Sequence, residues 1–251
     1  LVEVGKQAAK AGFDEIQFDY IRFAVDRTMK DVVFDPEDTK GRSKEEAITE
    51  FISYAYDALA REGLMVSADV FGTIIRSGED AQAVGQDYGE MARHLDYLCP
   101  MIYPSHYGDG NFGIEHPDTQ PYDTILNALK GSKDVLAKAK AENENGRQAI
   151  VRPWLQDFTA SYLKNYIDYD DEQVRAQIQA VYDAGYDEWI LWDAGVSYHY
   201  GGLLTPEEAA REEQEIQESR AEEARLEESR AAESSAAAQS GAAAADGTGN
   251  Q

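Results

Sequence analysis

Five short runs of β-branched and aromatic residues, separated by longer amphipathic stretches, fill the first two hundred positions, and this alternation limits the fold most. The runs are EIQFDYIRF (15–23), LMVSADVF (64–71), LDYLCPMIY (95–103), AIVRPWLQ (149–156) and EWILWDA (188–194). Helix punctuation sits between them. The SKEE box at Ser43 starts a helix that runs to Gly63, and further helices are predicted over 80–94, 122–143 and 170–184, the last closed by Gly185. VEVGKQAAKAG forms one more helix ahead of the first run. Alternating strands and helices with right-handed crossovers give a parallel sheet with helices on its faces. The repeat averages about 40 residues, somewhat generous for a (β/α)8 TIM barrel of about 250 residues, the fold class expected here. A closed barrel needs eight strands, and five are predicted. The expectation is therefore a barrel fragment of about five βα units, with three units missing ahead of Leu1, and such a fragment is not expected to be active alone. A doubly wound five-stranded sheet is the alternative, but no phosphate-cradling G-x-G-x-x-G follows the first run.

The composition changes near Thr205. Residues 205–251 carry −8 of the net charge of −25 and no aromatic residue. TPEE opens this stretch with a capping box, Thr205 to Glu208, and Pro206 stands at the first helical position. Beyond alanine its apolar residues are Ile216 and Leu226, ten apart, so the helix has no face to bury. The expected organisation is a domain over 1–204, a solvated charged helix over 205–233 and a disordered Ala/Ser/Gly tail over 234–251. So acidic a chain repels phosphate backbones, and no nucleic-acid partner is expected. No apolar run approaches the roughly 18–20 residues of a membrane span. Cys99 has no second cysteine to pair with, and it lies mid-strand as inert packing.

In parallel α/β folds, ligands sit at the C-terminal ends of the strands, so chemistry is sought there. The first run places Gln17 and Asp19 on one face, with Arg22 just beyond. The second puts Ser67 and Asp69 on one face. The third delivers Tyr103 and His106 to the mouth of a glycine-rich loop. The fourth presents Arg152, Trp154 and Gln156, then Asp157, and the last ends in Trp192 and Asp193. Carboxylates can share acid–base work when their environments separate their pKa values, and aromatic faces stack on the C–H faces of sugars. Together they suggest glycoside hydrolysis of a polysaccharide or oligosaccharide.

Each residue also has a structural reading. A strand-end aspartate commonly caps a helix or anchors a loop, Trp154 and Trp192 could be barrel core, and Arg22 could simply neutralise Asp19. His94, His106, His116 and His199 form no H-x-x-x-H pair, so neither a metal site nor a cofactor is expected. No G-x-S-x-G elbow is present for serine chemistry.

The segments AGFDEIQFDYIRF, VSADVFG, LCPMIYPSHYGDGNFG, RPWLQDF and YDEWILWDA occur in this order. With them, residues 1–200 resemble the later part of a bacterial glycosyl hydrolase family catalogued as domain of unknown function 4015, among the TIM-barrel glycosidases. The resemblance implies that the five runs are barrel strands four to eight. It places a nucleophile or base at the end of strand four, here Asp19; Arg22, just beyond it in the sequence, would orient it. In some of these glycosidases the acid sits at the end of strand five, here Asp69, an aspartate where those enzymes use glutamate, with Asp157 and Asp193 as substitutes. Tyr103, His106, Trp154, Gln156 and Trp192 would bind substrate. Ala24 replaces a proline common in the family, and Asp193 stands where asparagine is frequent. An extracellular or cell-envelope location is also implied. A non-catalytic carbohydrate-binding or cell-envelope module is the competing reading, and a lyase or esterase on the same fold is a third.

Overall fold

The computed structural model describes residues 1–25, 29, 31–142 and 146–205, with scattered positions between 207 and 225. Residues 1–203 form one compact unit. Its strands are β1 (Glu15–Phe18), β2 (Met65–Phe71), β3 (Tyr97–Met101), β4 (Ile150–Val151), β5 (Trp154–Gln156) and β6 (Ile190–Trp192). All pair in parallel, in the order β1-β2-β3-β5-β6, with β4 also on β3. The fourth predicted run is thus one strand position broken at Arg152-Pro153, because proline offers no N–H to the ladder. Five strand positions make an arc of the (β/α)8 barrel, as the alternation predicts.

The helices are α1 (Val2–Lys10), α2 (Pro36–Thr39), α3 (Lys44–Ala60), α4 (Gly78–Val84), α5 (Tyr88–Met91), α6 (Pro121–Ala141) and α7 (Asp171–Asp183). The Ser43 capping box forms as read: Ser43 Oγ accepts from the Glu46 N–H at 3.1 Å, and Glu46 accepts from the Ser43 N–H at 2.7 Å. The helix predicted over 80–94 is instead two short ones. Gly85 breaks it at φ 76°, a left-handed conformation that favours glycine, and Asp87 caps the second piece. The short α2 falls in the loop from Val25 to Gly41. Of that loop, positions 26–28 and 30 lie outside the described residues.

The core lies between sheet and helices. On β2, Val66, Ala68 and Val70 are fully buried and face outward to the helix layer, where α3 contributes Ile52, Ala55 and Leu59. Each large aliphatic residue buried there contributes roughly 1.5–3 kcal/mol. The alternate residues of β2, Ser67 and Asp69, turn to the inner face, and they too are buried. That inner face is polar. Arg152 reaches across it to pair with Glu15 at 3.1 Å and Glu188 at 2.7 Å, and its guanidinium lies 3.6 Å from the Tyr97 ring centroid. Ser67 Oγ donates to Glu15 at 2.6 Å. Sheet and helices therefore build an apolar wall behind a polar inner surface.

Residues 204–251 form a second unit. Thr205 and Glu208 make the expected capping box, with the Thr205 N–H donating to Glu208 Oε2 at 3.0 Å. The described positions from 207 to 225 are helical. The rest of the expected 205–233 helix, and the tail at 234–251, lie outside the described residues. No helix among the described residues is long and apolar enough to cross a membrane.

Candidate active site

A cleft of about 380 Å³ opens at the C-terminal ends of β1, β2, β3, β5 and β6. Asp19, Tyr20, Arg22, Asp69, Phe71, Gln86, Met101, Tyr103, His106, Trp154 and Trp192 line it. Seven of the ten residues singled out from the sequence are among them: Asp19, Arg22, Asp69, Tyr103, His106, Trp154 and Trp192.

Asp69 is the best-defined group. It is 6% exposed, and its Oδ1 accepts from Trp154 Nε1 at 2.6 Å and from Gln17 Nε2 at 2.8 Å. Burial raises its pKa from the ordinary 3.8 to about 6, and the neighbouring charges of Asp19 and Glu15 push the same way. The Trp154 and Gln17 donors oppose that rise without cancelling it. Because both donors aim at Oδ1, the proton of the acid form falls to Oδ2. Gln86 completes the support from behind. Its amide donates to the carbonyls of Asp69 and Ile21 and accepts from the Phe71 N–H, fixing the strand end.

Asp19 follows the last residue of β1 and is exposed. Its Oδ1 accepts from the Tyr20 N–H at 2.7 Å. Tyr20 itself sits at φ 53°, a left-handed conformation that costs a bulky residue about 1 kcal/mol or more. The strand ends at this bend, so β1 is shorter than the run 15–23 predicted. Among the described residues, the contacts of Arg22 are with groups other than the Asp19 carboxylate. Its guanidinium lies 4.8 Å from the Phe71 ring centroid and 5.3 Å from that of Tyr20, and it donates to the Phe23 carbonyl at 3.2 Å. Stacking on two rings and a carbonyl bond draw Arg22 off the carboxylate.

Tyr103 is buried and meets His106 edge-on at 5.0 Å and Phe158 at 5.9 Å. Burial raises the Tyr103 pKa, as do the charges of Asp69 and Asp19, so the phenol stays protonated. Desolvation lowers that of His106, which is therefore neutral at pH 7. Trp192 remains 43% exposed and packs edge-on to Trp154 at 5.9 Å. Trp154 serves two ends: its N–H holds Asp69, and its ring borders the cleft.

Three of the predicted residues are absent from this lining. Gln156 is fully buried; its amide donates to Asp118 Oδ1 and the Phe158 carbonyl and accepts from the Ser105 N–H, each at 3.0–3.1 Å. Asp157 is 1% exposed and binds His199, Nδ1 at 2.6 Å and backbone N–H at 3.0 Å. Asp193 accepts from the Ser197 N–H at 2.7 Å, holding a turn in which Val196 lies at φ 54°. Buried polar groups must find partners, and Gln156 and Asp157 found theirs within the chain. Conversely, Gln17, Tyr20, Phe71, Gln86 and Met101 serve the cleft without having been assigned to it. Only Gln17 carried a sequence signal, its place on the inner face beside Asp19.

Several solved structures are similar to the chain at low identity. They include a class V chitinase from Pseudomonas fluorescens (14% identity, TM-score 0.50, 77% of this chain and 66% of that one). Others are the spore cortex-lytic enzyme SleL from Bacillus megaterium (13%, 0.49, 80% and 50%) and the PgaB glycoside hydrolase domain from Bordetella bronchiseptica (14%, 0.46, 76% and 55%). The chain thus spans about half to two thirds of the length of these proteins. No curated protein sequence matches it. Residues 1–198 match the family model described as "Putative glycosyl hydrolase domain", and the chain belongs to that family.

Proposed function

We propose that the cleft hydrolyses a glycosidic bond of a polysaccharide or oligosaccharide, with Asp69 as general acid and Asp19 as the second carboxylate. The observation that carries this reading is the contrast between the two groups. Asp69 is buried, held on one oxygen by two donors and raised to about pH 6, whereas Asp19 stands exposed in the same cleft. Two carboxyl groups in unlike surroundings divide acid from base or nucleophile. In the proposed step, Asp69 Oδ2 gives its proton to the leaving glycosidic oxygen as the bond to the anomeric carbon breaks. Asp19 either attacks that carbon or takes a proton from the water that does. Tyr103, Trp154 and Trp192 offer ring faces and edges to the sugar, and neutral His106 offers a hydrogen bond.

The test is release of reducing ends from a panel of glycans by the full-length protein and its Asp19→Asn and Asp69→Asn variants. Loss of about 10²–10⁴-fold in rate is expected for each, the usual weight of a positioned proton-transfer group. Binding without product would favour a carbohydrate-binding module instead. Products without a new reducing hemiacetal would favour a lyase or esterase.

A further inference from the structure

A second cavity of about 470 Å³ adjoins the first, and His106 lines both. Its wall runs from the turn after β2, with Gly72, Thr73 and Arg76, to the loop after β3, with Tyr107 and Phe112. Three features mark it as built for a ligand. The first is Tyr107. Its ring is buried, and its hydroxyl finds no hydrogen-bond partner among the described residues, an arrangement that costs about 1–3 kcal/mol unless something completes it.

The second is Arg76. It makes no ion pair among the described residues, in a chain of net charge −25. Its guanidinium is nevertheless positioned, 5.5 Å from the Phe112 ring centroid on one side and against Gly131 of α6 on the other. A methyl group at Gly131 would stand 2.5 Å from Arg76 Nε, so the glycine makes the space that the guanidinium occupies. The third is Phe112, which holds φ 58° inside a short turn while its ring packs against Tyr107 at 5.1 Å. Left-handed backbone at a bulky residue persists where the surroundings over-determine it, and such positions cluster at ligand sites.

The chemistry of the wall is that of a sugar subsite. Arg76 offers donors only and Asp80 acceptors only, a pair suited to neighbouring hydroxyls of one sugar ring. Phe112 offers an aromatic face, and the Tyr107 and Thr73 hydroxyls can both give and take. We infer that this cavity is a second glycan subsite, continuous with the catalytic cleft through His106, and that the substrate is therefore an extended chain rather than a small glycoside. This rests on the glycosidase reading of the first cleft and adds to it the length and path of the substrate.

The test is affinity as a function of chain length. Isothermal titration would use β-1,4-linked glucose and N-acetylglucosamine oligomers of about two to six units, with Asp69→Asn to stop turnover. Oligomers long enough to fill both cavities should bind about tenfold tighter than the shortest, as expected for one or two added hydrogen bonds and a ring contact. In that background, Tyr107→Phe should leave stability unchanged or improved, since it removes only an unpartnered hydroxyl. It should abolish most of the length-dependent gain while leaving the shortest ligands unaffected, and Arg76→Ala should do the same. Equal affinity at every length, or a gain that survives both substitutions, would overturn the second subsite alone. Failure of the full-length protein to bind or cleave any oligomer or any glycan of the panel above would overturn the glycosidase reading beneath it.

Discussion

Replacing Asp69 by asparagine should stabilise the protein at neutral pH, although it removes a carboxylate from the centre of the cleft. The raised pKa means that the folded chain holds the Asp69 proton more tightly than the unfolded chain does. The stability this contributes is present below the unfolded value of 3.8 and is lost as pH rises toward about 6. A rise of roughly 2 pH units is worth about 3 kcal/mol, and solvent reaching the carboxyl from the cleft trims this to about 2 kcal/mol. Asparagine keeps an Oδ1 that accepts from both Trp154 and Gln17, and it carries no charge to bury. Urea unfolding of both chains from about pH 4 to about pH 8 reads the difference. The stability gap should open in favour of Asp69→Asn by about 2 kcal/mol between pH 4 and pH 7 and stay flat above that. A gap that does not change with pH, or a variant less stable than wild type at pH 7, would mean that the folded chain pays nothing to ionise this carboxyl.

Gly72→Ala should destabilise by about 1–3 kcal/mol in the same unfolding assay, because the added methyl would stand 2.6 Å from the Met101 carbonyl and from the Tyr107 hydroxyl. Backbone of a central strand cannot move aside. Cys99 is buried, with its thiol pushed up to about 12, so a disulfide reagent should fail to label it at pH 8 until denaturant is added. The bond to Asp157 raises the His199 pKa, so it stabilises fully below the ordinary histidine value of 6.5 and fades as pH rises through the raised one. His199→Gln should therefore lose stability below about pH 6 and little at high pH, with amide exchange quickening first around residues 195–203.

Much of the scaffold was legible because its signals are local. The capping box at Ser43, the alternation of Val66, Ala68 and Val70 with Ser67 and Asp69, and the strand order all follow from short-range pattern. Two breaks had visible causes that a coarse reading passed over: Gly85 between α4 and α5, and Pro153 between β4 and β5. The end of β1 had none, since tyrosine gives no warning that Tyr20 will adopt φ 53°. At the site, alternation brought Asp69 and Trp154 to one surface but could not say that the indole would bond the carboxylate across 85 positions of sequence. Gln156 and Asp157 read as rim residues for the same reason. Their partners Asp118, Gln177 and His199 come from distant segments, and only the folded chain shows those side chains already engaged.

The proton on Asp69 is the centre of the account, and the pH profile of glycan cleavage tests it most directly. Reducing-end release by the full-length protein, measured as kcat/KM, should fall as pH rises through about 6, where the acid loses its proton. Asp69→Asn should lose most of the activity together with that limb. A variant that cleaves at the wild-type rate, or one that is slower but keeps the same limb, would contradict the assignment of Asp69 as the acid.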